Sequence, residues 1–134
     1  MTISNFNALL AAARQQSQPQ RLLLVFAKAE LPADSTPEQR SRFLAGQGGA
    51  LVPLMCVDKA PNELSSMAQL LDESRALGQS WSVMFASAMS GTLGQAPSSA
   101  DAEAPLLRMV EMIKAGQIGA MIPFDPQGNT VHLG

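Results

Sequence analysis

RLLLVFAKA, residues 21–29, is the stretch on which the fold turns. From Leu22 to Ala27 every position is apolar, odd and even alike, and a strand tolerates that only where both of its faces are covered. The run therefore predicts a central strand with a packing layer above and below. Arg21 and Lys28 bracket it, so it falls far short of the roughly 20 apolar residues that a membrane helix needs.

Working outward, Phe6, Leu9, Leu10 and Ala13 recur at the spacing of one helical face, with Ser4 placed as the cap and Pro19 as the breaker. On the other side, Leu31-Pro32 closes the strand. Thr36-Pro37-Glu38-Gln39 then combines a threonine cap, a proline at the first helical position and a glutamine able to complete a capping box. Phe43 and Leu44 are the expected anchors of that helix and Gly46 its end. Residues 50–57, ALVPLMCV, read as a second strand, in which Pro53 removes a ladder donor and calls for an edge, a bulge or a strand start.

Pro61 is expected to start a helix with Leu64, Met67, Ala68 and Leu71 on its buried face and Gly78 at its end. Residues 81–88, WSVMFASA, form the third expected strand. A polar, glycine-containing loop over 90–100 leads to a helix capped by Ser98 or Ser99, with Leu106, Met109, Val110 and Ile113 inward and Gly116 as terminator. The loop is longer than a short connection needs, which predicts an exposed, mobile lid over the strand end that carries Cys56 and Asp58. Finally, segments 118–124 and 130–133 flank Asp125-Pro126-Gln127-Gly128, a type I turn sequence, and predict a terminal hairpin. The alternation of elements gives an α/β fold, with α+β also compatible: one globular domain over 1–134, a mixed sheet of about five strands packed by about four helices, and a C-terminal β-hairpin.

Composition narrows function more by exclusion than by motif. Hydrophobic residues make up 46% of the chain and charged residues 15%, against roughly 25% charged in ordinary soluble domains. That surplus predicts apolar surface left over for self-association, as a homodimer, or for another protein. The net charge of -2 and the lack of any basic cluster exclude nucleic acid and an anionic membrane surface as obvious partners. The first residues have neither a basic start nor an apolar core, so no signal peptide is read and a cytoplasmic location is expected.

Reactive side chains are scarce: one cysteine, one histidine and no tyrosine. Cys56, Asp58 and Lys59 fall where the second strand should end, and ligands of open sheets gather beyond strand ends. There Lys59 would lower the thiol pKa and His132 would serve as base. Ser90, Gly91 and Thr92 follow the third strand and precede a helix, the context of an anion-binding loop, although the Walker spacing is missing. Together the two groups define a candidate small-molecule or anion site, provided the second and third strands are neighbours. The glycines of Gly46-Gln47-Gly48-Gly49 follow a helix instead of a strand, the reverse of the dinucleotide fingerprint. One cysteine and one histidine form no standard zinc cluster, so neither metal nor cofactor is expected. Asp101 with Glu103 and Asp72 with Glu73 read as helix-terminal or solvated charges, and the eight methionines as core filling.

LLLVFAKAELP (22–32), GGALVPLMCVDKAPNEL (48–64), APLLRMVEMIKAG (104–116) and FDPQG (124–128) together resemble a family of short proteobacterial proteins often labelled "ribonucleotide reductase subunit alpha". The resemblance runs through nearly the whole chain and implies a bacterial, soluble, single-domain protein. The label implies a radical cysteine and a redox cysteine pair in a far longer chain. Cys56 has no second cysteine to pair with, so ribonucleotide reduction does not carry over and no catalytic residue is transferred.

Overall fold

The doubly apolar run becomes β1 (Gln20–Glu30), and it lies inside the sheet as its pattern requires. The computed structural model describes residues 3–30, 36–44, 50–64, 66–76, 78 and 80–131. Leu31-Pro32, the glycines of 46–49 and His132 lie outside them. The elements run α1 (Phe6–Arg14), β1, α2 (Pro37–Leu44), β2 (Ala50–Lys59), a 3-10 turn (Pro61–Glu63), α3 (Met67–Ala76), β3 (Val83–Ser90), α4 (Ser99–Lys114) and β4 (Ile122–Phe124).

The fold is α+β. Among the described residues its strands order β2-β1-β3-β4 and every pairing is antiparallel, giving four strands where a mixed sheet of about five was expected. The reason is in the order: β2 and β3 both run against β1, and β1 separates them, so no parallel pair forms. Of the terminal hairpin, the outgoing arm shortens to β4 and the described part of the return arm makes single bridges at Asn129 and Thr130. The turn itself is as the sequence reads it. The Gly128 N–H donates to the Asp125 carbonyl at 2.9 Å, and Asp125 Oδ1 accepts from the N–H groups of Gln127 and Asn129.

Even-numbered β1 residues Leu22, Leu24 and Phe26 join Phe6, Leu10, Met67, Leu70 and Phe124 in a cluster under α1 and α3. Odd-numbered Leu23, Val25 and Ala27 join Val83, Phe85, Ala102, Leu106, Met109 and Ile113 under α4. Two cores thus share one strand. At about 25 cal/mol per Å² of apolar surface, burying the whole Leu22–Ala27 run gives β1 more buried apolar side chains than any other strand among the described residues.

Local signals held with small displacements. Asn5 caps α1, its Oδ1 accepting from the Ala8 N–H at 2.8 Å, while the carbonyl of Ser4, the expected cap, accepts from Thr130. Thr36 and Gln39 form the anticipated reciprocal box at α2. Ser98 and Asp101 form another at α4. Pro61 begins only a 3-10 turn, because Leu64 reverts to extended backbone and α3 starts anew at Met67. The buried face of α3 is consequently Met67, Leu70 and Ser74, with Ala68 exposed.

Pro53 satisfies two of its expected roles at once. β2 is an edge strand, and its register against β1 shifts so that Phe26 faces Met55 and Ala27 faces Pro53, leaving Leu54 as the extra residue of a bulge. A proline, a bulge and the terminal Asp58-Lys59 pair are the devices by which natural sheets discourage edge-to-edge pairing.

Candidate functional site

The candidate residues share one end of the sheet, since β2 and β3 run the same way, but β1 lies between their strands. Residues facing each other across an antiparallel pair lie on the same face. Cys56 faces Val25 and Asp58 faces Leu23, both on the α4 side; Lys59 faces Leu22, on the α3 side. Lys59 therefore sits across the sheet from the thiol, and its ammonium meets Glu73 of α3 at 3.3 Å. Cys56 is exposed. Of the expected thiol, lysine and histidine constellation, Lys59 is on the other face from Cys56 and His132 lies outside the described residues.

Asp58 organises a network of its own. Arg21 pairs with its Oδ2 and also donates from Nε at 2.5 Å, while the Ser99 hydroxyl donates to Oδ1 at 3.0 Å. Partial burial pulls the Asp58 pKa upward, but the hydrogen bonds from Ser99 and Arg21 and the guanidinium charge outweigh it, and the carboxyl is held below its ordinary value. The side chains of Arg21 and Asp58 are 15% and 17% exposed, so the pair is screened less than a surface bridge. Its role is mechanical: it ties β1 and β2 to the first residue of α4.

Ser90 is similarly engaged, its hydroxyl accepting from Gln20 Nε2 at 2.8 Å. Gly91 is buried, and its N–H donates to the Pro19 carbonyl at 2.7 Å. A Cβ there would stand 1.9 Å from the Gln95 carbonyl oxygen, so only glycine fits. Thr92 and Gln95 exchange backbone hydrogen bonds at 3.1 and 3.0 Å, closing a two-residue turn. Its central residues, Leu93 and Gly94, both have positive φ, +53° and +78°, the signature of a type I′ turn. The Gly94 N–H is held by Gln18 Oε1 at 2.9 Å. The loop expected as a lid over Cys56 is thus a tight turn fastened to the segment that enters β1. Its tip is exposed, as expected, and Leu93 is 97% exposed.

Beside this turn lies a cleft of about 270 Å³ between the end of α1 and the 3-10 turn. Ala13, Pro19, Ala60, Pro61 and Ala96 give it apolar walls, and Arg14, Gln16, Gln18, Gln20 and Asn62 complete the lining. None of the candidate ligand residues lines it. Arg14 spends one guanidinium nitrogen on the carbonyls of Pro61 and Leu64, pinning the 3-10 turn to α1. Among the described residues no cluster of three metal-ligating side chains exists. Nor is any described helix long and apolar enough to cross a membrane. The buried Ser74 hydroxyl, the one nucleophile deep in the fold among the described residues, donates to the Leu71 carbonyl and accepts from Trp81 Nε1.

Comparison with known proteins brings no relative to bear: no family model, curated protein or solved structure matches the chain.

Read as an anion cradle or as a mobile lid, Ser90-Gly91-Thr92-Leu93-Gly94 draws attention to its hydroxyls and glycines and not to Leu93. The readable signal was a leucine in a Leu-Gly pair at a polar loop, where Asn-Gly is the favoured turn sequence.

Proposed function

We propose that this chain works through association with protein, its own copy first, and that the end of the sheet carrying Leu93 is the surface it uses. The observation behind this reading is Leu93 itself. A β-turn tip gains nothing in folding from a fully exposed leucine, and left-handed backbone costs an L-residue with a bulky side chain roughly 1–2 kcal/mol. A side chain that gains nothing by folding and sits on a backbone that costs stability has its compensation elsewhere. The open edge of β2 is the less suitable surface, because Pro53 and the bulge oppose strand addition.

The alternative of a small-molecule or anion site draws little support. Asp58, Lys59 and Ser90 have their partners within the fold, and β1 separates the two groups. The proteobacterial resemblance agrees with a small bacterial protein and adds no reacting residue.

Sedimentation velocity from about 1 µM to about 1 mM tests the reading, and a reversible, concentration-dependent increase in mass is the expected result. A single monomer boundary at every concentration would reject it.

A further inference from the structure

The turn that projects Leu93 and the apolar cleft are neighbours on one surface. The turn is fastened to Gln18 and Pro19, and Gln18, Pro19 and Ala96 line the cleft. Leu93 does not fill it, being 97% exposed. At about 270 Å³ the cleft lies just below the roughly 300–1,000 Å³ of small-molecule pockets and has room for one aliphatic side chain. A projection beside a recess is an arrangement that a two-fold axis satisfies, since each copy then offers and receives the same contact.

Charge points to the same partner. Two of the segments that build this surface, 15–20 (QQSQPQ) and 91–100 (GTLGQAPSSA), contain no charged residue, and the rest of the cleft lining, from the end of α1 and the 3-10 turn, adds only Arg14. Depletion of charge is the compositional mark of an interface core, and an uncharged patch meets its own copy without like-charge repulsion. The one formal charge in the cleft wall, Arg14, already donates to two carbonyls.

We infer that two copies of this chain pair about a two-fold axis, each inserting Leu93 into the other's cleft between the end of α1 and Pro61. The inference rests on the self-association reading above and names its contact. Two leucines and their rims are small beside the about 1,000 Å² of total buried area that a stable interface needs, so the dimer is weak and forms toward the upper end of the micromolar range.

The test is sedimentation equilibrium of the wild-type chain, Leu93→Asn, Ala96→Glu and an equimolar mixture of the two variants. Leu93→Asn creates the favoured Asn-Gly turn, so its thermal midpoint should rise while its self-association weakens about tenfold or more. Ala96 is exposed, and glutamate there blocks the cleft without touching the core. Each variant should associate poorly by itself. The mixture should recover part of the wild-type affinity, because one intact leucine from the Ala96→Glu copy meets one intact cleft in the Leu93→Asn copy. Variants that dimerise as tightly as wild type, or a mixture no better than either variant, would overturn the exchange while leaving self-association standing. A lowered midpoint for Leu93→Asn would also overturn it, by showing that the leucine serves its own fold. A wild-type chain that stays monomeric throughout would remove both this contact and the reading beneath it.

Discussion

Two regions at the same end of the sheet are built on opposite principles. Around Asp58 the polar groups have found internal partners: guanidinium, hydroxyl and carboxylate satisfy one another and tie β1 and β2 to α4. At the Thr92–Gln95 turn the backbone is closed by two hydrogen bonds and tied to Gln18, yet its most prominent side chain stands almost wholly exposed. The Asp58 group, made of residue types that do chemistry, is a fastening; the turn, made of residue types that connect elements, carries the exposed feature. Partnering, more than residue type, separates a structural group from an available one.

The largest expected effect comes from removing the device that shapes the turn. Gly91→Ala puts a methyl group against the Gln95 backbone and should cost about 3 kcal/mol in urea unfolding, with exchange of the Gly94 amide accelerated. If the cost is under about 0.5 kcal/mol, the turn is not held as described. Next, Asp58→Ala removes the nearer of the two carboxylates paired with Arg21, leaving Glu63 at 4.0 Å, and should destabilise by about 2 kcal/mol, with Ser99→Ala milder because it removes one hydrogen bond only. Equal effects from the two would mean that the ion pair adds nothing.

Leu93→Asn carries the opposite sign, a gain of about 1 kcal/mol for the monomer read by thermal unfolding at a concentration below association. That sign is the sharpest contrast between the regions, since it pits a residue adapted to the fold against one that opposes it. The smallest expected effect is in pH. Asp58 has a folded pKa below its unfolded value, so the stability it contributes is complete above the ordinary range near pH 4 and is lost as pH falls through the folded value. Asp101, lowered by hydrogen bonding to the Ser98 N–H and hydroxyl at the α4 cap, follows the same sign. Urea midpoints measured between about pH 6 and pH 2.5 should decline, and Asp58→Asn should flatten part of that decline. An unchanged slope would detach Asp58 from acid stability.

Much of the architecture could be read from short stretches. The apolar run of β1, the capping boxes at Thr36 and Ser98, the Asp125 turn and the edge character signalled by Pro53 depend on neighbours a few residues apart, where sterics and local hydrogen bonds act whatever the rest of the chain does. The site was less legible. Pro61 could start either a helix or a single turn, and the choice fell to Leu64, which leaves helical backbone to enter the core beneath α1. That Asp58 meets Ser99, that Lys59 and Cys56 face opposite sides, and that Ser74 is sealed by Trp81 are matters of strand order and register across tens of residues.

The sequence by itself determined that β1 is covered on both faces and that reactive side chains are few, because periodicity and composition are properties of the chain before it folds. Only the tertiary structure decided which polar groups are already partnered and which apolar side chains stay exposed, Leu93 at 97% more than Leu107 at 61% among the described residues. Those pairings come from the collective fit of two cores on one strand, and that fit places Asp58 within reach of Arg21 and Ser99 while leaving Leu93 in water.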